Sequence, residues 1–170
     1  MELLVVIDMQ RDFIDGALGT KEAVAILSYV KEAVKAHKGE VLFTRDTHKE
    51  DYLSTREGEK LPVPHCVFGT DGWQIHPELL PYVTQAPIDK ETFGSVTLGE
   101  RVRAMEGVSG VTLMGLCTDI CVISNAMLLR AFCPELPIRV DARGCAGVTP
   151  ESHERALDAM ASCQIDILGR

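Results

Sequence analysis

Apolar runs rich in β-branched residues recur along the chain at Leu3–Ile7, Val41–Thr44, Val111–Met114, Pro137–Val140 and Ile165–Leu168, with a weaker run at Ala86–Asp89. They are nearly continuous rather than alternating, which is the pattern of strands covered on both faces. Between several of them the apolar period becomes helical. Over Ala23–Ala36, the residues Ala23, Ile26, Leu27, Val30 and Val34 share one face, and Asp119–Phe132 and Glu151–Ser162 show the same spacing. Leu98–Met105 is a shorter candidate. Strands alternating with helices predict an α/β fold, a three-layer α/β/α sandwich around a six-stranded parallel sheet. The stretch from Asp46 to Tyr82 breaks the alternation, being rich in Pro, Gly, His and charge. A connection of that length inside a compact domain is usually functional.

Composition narrows the partners. A chain of 170 residues with 46% hydrophobic and 25% charged residues buries an ordinary core and reads as one domain, 1–170. A net charge of −8 without basic clusters argues against nucleic acid and anionic lipid. The opening MELLVVIDMQ lacks the basic region and the long apolar core of a signal peptide, and no later run is long enough to span a bilayer. The expectation is a cytoplasmic protein that binds a small molecule and forms a homo-oligomer. In that compartment the six cysteines are reduced, and each is judged by its neighbours.

In open α/β sheets, ligands bind beyond the carboxyl ends of the strands. The residues at those ends are unusually reactive: Asp8 after the first strand, Asp46 and His48 after the second, Asp89 and Lys90 at the third, and Cys117, Thr118, Asp119 and Cys121 after the fourth. If Asp119 begins a helix, Cys121 lies in its first turn, where free amides and the helix dipole lower a thiol pKa and can hold an oxyanion. Local features do not separate Cys121 from Cys117, and a small buried apolar role is the competing reading for both. For Cys66, Cys133, Cys145 and Cys163 the structural reading is preferred. Asp8 fits a general base or a turn cap, and Lys90 a thiolate partner or a solvated surface charge. In Asp46-x-His48 the extended backbone sets alternate side chains on one side. With His65 they form a facial set for Zn²⁺, Fe²⁺ or Mn²⁺. His37, His76 and His153 read as ordinary hydrogen-bonded residues.

Five stretches in order, "VVIDMQRDFIDG", "FTRDTH", "PHCVFGTDGW", "DKETFGS" and "LMGLCTDICV", resemble the isochorismatase-like cysteine hydrolase superfamily, specifically its nicotinamidase/pyrazinamidase branch. The resemblance implies Cys121 as nucleophile with Asp8 and Lys90 completing the triad. It also implies a cis peptide before Cys117 and an oxyanion hole built from the backbone amides of Cys117 and Cys121. Asp46, His48 and His65 become metal ligands, with Glu57 as a fourth candidate and Glu59 close by. Phe13 and Phe93 are expected to flank a pyridine ring. One departure is Pro62, which stands where some nicotinamidases carry a Trp before the metal-binding His; the only tryptophan is Trp73. The implied function is metal-dependent hydrolysis of nicotinamide to nicotinate and ammonia through a thioester, with zinc the first choice of metal. A cysteine amidase for another small amide, such as a carbamoyl or ureido compound, is the alternative. A non-catalytic α/β binding module is the third reading, disfavoured by the coincidence of Asp8, Lys90 and Cys121.

Overall fold

In the computed structural model, which describes residues 1–170, the apolar runs form one sheet. The elements in order are β1 (Glu2–Ile7), α1 (Arg11–Ile14), α2 (Lys21–Ala36), β2 (Glu40–Asp46), α3 (Arg56–Lys60), β3 (Ile88–Lys90), α4 (Val96–Ala104), β4 (Gly110–Leu116), α5 (Ile123–Phe132), β5 (Ile138–Ala146), α6 (Pro150–Ser162) and β6 (Asp166–Leu168). The sheet has six strands in the order β3-β2-β1-β4-β5-β6, and every neighbouring pair is parallel. Leu3–Ile7 of β1 are wholly or almost wholly buried at its centre, because helices cover both faces. α2 lies on one face, N-capped by Thr20, whose hydroxyl accepts from the Ala23 amide, and it buries Ala23, Leu27, Val30 and Val34. On the other, α5 packs against both α4 and α6. No helix is long and apolar enough to cross a membrane.

The chain leaves β1 towards β2 and β3, then returns to the far side of β1 as β4. This reversal opens a crevice between the carboxyl ends of β1 and β4, the place where parallel sheets bind ligands. Gly115 shapes its wall. It has φ +128°, and a Cβ there would overlap the Ile7 carbonyl oxygen, so only glycine lets β4 stay this close to β1.

Three local expectations shift. The helix expected over Asp119–Phe132 starts as a π turn, Thr118–Val122, before α5 begins at Ile123. β5 runs on to Ala146, beyond the apolar stretch ending at Val140. Its extension includes Asp141, whose charge is absorbed by Tyr29 Oη at 2.8 Å and by Arg143. The Asp46–Tyr82 stretch holds a 3₁₀ turn at Tyr52–Ser54 and the short α3, whose N-cap Thr55 accepts from Gly58 N at 3.0 Å. Gly58 matters here too, since a Cβ would run into the Tyr52 carbonyl.

Candidate active site

Four strand ends meet at the crevice. Asp8, the residue after β1, has φ +47° and is fully buried. Thr44 of β2 holds it from two sides, its hydroxyl accepting from Asp8 N at 3.2 Å and donating to Oδ1 at 2.6 Å. Lys90 ends β3. Its ammonium lies 2.7 Å from Asp8 Oδ2 and 3.0 Å from Asp46 Oδ1, and donates to Thr92 O at 3.2 Å and Cys121 Sγ at 3.5 Å. Asp8 Oδ2 has no hydrogen-bond partner beyond this ion pair and the thiol of Cys121. The peptide bond between Leu116 and Cys117 is cis, and the π turn that follows carries Cys121, 3% exposed.

The electrostatics differ from those expected of a helix N-terminus. Burial pushes the Cys121 thiol well above its ordinary value, the charge of Asp8 adds to this, and Lys90 offsets only part. The resting sulfur is therefore a thiol, because desolvation of an anion outweighs a turn dipole. Burial likewise raises Asp8 against the pull of Lys90. Burial alone would lower Lys90, but Asp8, Cys121 and Asp46 together hold it above the usual lysine range. Cys117 lines the same crevice, and burial raises its thiol to about 12.

Next to the Asp8, Lys90 and Cys121 group stands a second one. Asp46, His48, Glu57 and His65 each offer one ligand atom, all within 4.8 Å of one another. His48 Nε2 lies 2.9 Å from Asp46 Oδ2 and 3.5 Å from Glu57 Oε1, and His65 Nε2 lies 3.8 and 3.7 Å from the same two oxygens. His65 is oriented by its other ring nitrogen, 2.8 Å from Val63 O, the arrangement that usually leaves Nε2 for a metal. Despite its near neighbours, buried His48 Nε2 has no well-formed hydrogen bond. Two imidazole nitrogens and two carboxylate oxygens converging with one nitrogen orphaned fit a divalent cation of the Zn²⁺, Fe²⁺ or Mn²⁺ type. Without such a cation, burial would lower His48, but Asp46 and Glu57 outweigh it and hold the ring at about 9. The structure selects Glu57 rather than Glu59, which is an exposed partner of Arg56 at 3.1 Å. Lys90 joins the two groups, touching Asp8 in one and Asp46 in the other.

Cys121 of the first group and all four residues of the second line one cavity of about 750 Å³, together with Phe13 and Phe93. Phe13 is buried and meets His65 edge-on at 5.5 Å between ring centroids, whereas Phe93 is 40% exposed. The remaining histidines lie outside the cavity lining. His37 Nε2 is 3.1 Å from Glu2 O, His76 Nδ1 accepts from Glu78 N at 3.3 Å, and His153 Nδ1 is 2.7 Å from Thr118 Oγ1.

Several supporting residues escape a reading by motif. Gln10, fully buried, accepts from Asp46 N at 2.7 Å and donates to Asp46 O and Trp73 O at 2.8 Å each, locking the backbone of a candidate ligand. Asp12 accepts from Cys66 N at 2.7 Å, next to His65. Asn125 of α5 donates to Cys121 O at 2.8 Å and Phe93 O at 3.0 Å and accepts from Ser95 N at 2.9 Å. Tyr52 packs 4.6 Å from the His48 ring and 5.0 Å from the His65 ring. The only sequence signals were a glutamine and an aspartate in "DMQRD" and an asparagine on the apolar face of a helix.

A parallel α/β/α sandwich with a buried Asp, Lys and Cys at its switch point is the architecture of a cysteine hydrolase. The isochorismatase domain model matches residues 2–169, and the chain belongs to that family. Within it, the chain falls in the nicotinamidase/pyrazinamidase branch. It is 30% identical to the nicotinamidase/pyrazinamidase of Mycobacterium tuberculosis, over 99% of this chain and 98% of that protein. Among solved structures it resembles pyrazinamidase of Pyrococcus horikoshii in complex with zinc, with 29% identity and a TM-score of 0.80 over 99% of each chain. The nicotinamidase/pyrazinamidase of Bacillus subtilis is similar at 25% identity and a TM-score of 0.85, again over 99% of each chain.

Proposed function

We propose that this hydrolase of amide carbon–nitrogen bonds converts nicotinamide to nicotinate and ammonia through a thioester on Cys121. One observation carries the reading: Cys121 of the buried Asp8, Lys90 and Cys121 group lines the same cavity as Asp46, His48, Glu57 and His65, and Lys90 joins the two groups. The relatives' names support the choice of amide.

Because the resting sulfur is protonated, Asp8 has to accept the Cys121 proton as the sulfur attacks the amide carbon. Lys90, within 3.5 Å of the sulfur, stabilises the thiolate as it forms. The backbone amides of Cys117 and Cys121 receive the carbonyl oxygen as its charge grows. Asp8 gives the proton to the departing nitrogen, so the C–N bond breaks, ammonia leaves and the acyl group remains on sulfur. A water then loses a proton to Asp8 and attacks the thioester carbon. Nicotinate departs, and the proton returns to Cys121. Phe13 offers the ring an apolar wall. Asp46, His48, Glu57 and His65 would hold a divalent cation, zinc for preference, which when bound supplies a Lewis-acid grip for the pyridine nitrogen.

Ammonia release from nicotinamide, together with elemental analysis of the purified protein, tests this reading. Turnover with a bound metal, lost on chelation and restored by adding it back, is expected. Absence of turnover in the metal-loaded protein would overturn it.

A further inference from the structure

The cavity is larger, and more apolar at its mouth, than a single-ring amide would fill. Its deep end is polar and closed, with Cys121 3% exposed and Asp46 1% exposed. Its open end is mostly apolar. Leu18, Leu61, Phe93, Ile120 and Val148 come from five separate stretches of chain and all line it, and Leu61, Phe93 and Val148 remain 36%, 40% and 52% exposed. Exposed apolar side chains gathered at the rim of one cavity mark a binding surface rather than scattered surface residues. A volume of about 750 Å³ falls within the roughly 300–1,000 Å³ that encloses a drug-sized ligand. The charged side chains lining the cavity beyond Glu57 are of both signs, Arg56 and Lys60 with Glu91. Arg56 is engaged by Glu59 and Glu91 by Lys49, each at 3.1 Å, and the whole chain carries −8.

Building on the amidase reading, we infer that the preferred substrates are aromatic ring carboxamides bearing an apolar substituent, with the carboxamide at Cys121 and the substituent lying along Leu61, Phe93 and Val148 at the mouth. The chemistry is unchanged by this: the amide C–N bond breaks, ammonia leaves, and water supplies the oxygen of the substituted acid.

The test compares kcat/KM for ammonia release by the metal-loaded protein on nicotinamide and on nicotinamides carrying a propyl, phenyl or carboxylate group at ring carbon five or six. A fitting methylene in an apolar pocket is worth about 10- to 200-fold, so the better propyl or phenyl isomer should exceed nicotinamide by at least about tenfold. Val148→Asp and Leu61→Glu should each shrink that ratio, and the carboxylate series should gain less than the propyl and phenyl series. Nicotinamide turnover with no gain from any apolar substituent would overturn this inference while leaving the amidase reading intact. A gain from carboxylate alone would overturn it too, as would a dimer that Val148→Asp dissociates with no substituent gain, since a second copy would then cover the mouth. Hydrolysis of no ring carboxamide would overturn both readings.

Discussion

The Lys90 ammonium sits 2.7 Å from Asp8 Oδ2, with 2% of the lysine side chain and none of the aspartate exposed. Taking one partner from a buried pair leaves an uncompensated charge and typically costs about 3–5 kcal/mol. Here the stranded carboxylates would be two, Asp8 and Asp46. Lys90→Met should therefore lower stability by about that amount, measured by urea denaturation of the metal-free protein. Burial already raises Asp8 in the fold and Lys90 is the charge that pulls it back, so the variant raises it further, and a raised carboxylate contributes stability that is lost as pH rises. The deficit should accordingly be smaller at pH 5 than at pH 8. An equal deficit at both would mean that the lysine is not compensating these charges.

The two thiols of the crevice should be separable. Cys121→Ala should abolish ammonia release, because no other side chain in the proposed scheme can form the thioester. Cys117→Ala keeps the backbone amide and should retain turnover within about tenfold, since the part assigned to Cys117 is one main-chain donor rather than a sulfur. Loss with the second variant and survival with the first would reverse the assignment.

The protonation of Cys121 has its own signature. Its pKa is raised, so the thiolate fraction climbs with pH, and iodoacetamide labelling of Cys121 should quicken about tenfold per pH unit between pH 7 and 9 without a plateau. The folded chain then keeps a proton that the unfolded chain loses above the ordinary thiol value of 9.0. Stability should thus fall as pH rises past that value, and fall less steeply in Cys121→Ala. A labelling plateau below pH 7 would show a depressed pKa instead.

Glu57 and Glu59 give a paired test of the second group. Disturbing even an outer partner of a metal site costs about 10–100-fold in affinity, so Glu57→Ala should weaken zinc binding by at least that much, read by competition with a chelating dye. Glu59→Ala removes only an exposed ion pair and should change affinity by less than about threefold. Equal effects would place the fourth ligand elsewhere.

How far the chain can be read without coordinates depends on where each residue's partners lie. The six strands and their parallel sense were legible because doubly covered strands write their burial directly into the composition. Asp8, Asp46, Lys90 and the Cys117 and Cys121 pair were legible as a set because each follows or ends a strand and the crevice rule gathers strand ends, while the choice of Cys121 over Cys117 came from the family resemblance. Glu57 could not be separated from Glu59 by spacing. That choice is made by the turn of α3, which lies close enough to Tyr52 to exclude a side chain at Gly58. Gln10 and Asn125 were illegible because their bonds go to distant backbone atoms, 36 residues away at Asp46 N and 32 at Phe93 O. The direction of the Cys121 shift also depends on burial, which a turn-dipole argument leaves out.

The central claim is that Cys121 carries the acyl group of the amide between two half-reactions. The most direct measurement is acid-quenched peptide mapping by mass spectrometry during nicotinamide turnover, on the metal-loaded protein and its Cys121→Ala variant. A nicotinoyl adduct that appears on the peptide holding Cys121, decays as nicotinate forms and is absent from the variant is the predicted result. Turnover at full rate by Cys121→Ala, or the adduct on Cys117 instead, would contradict the account.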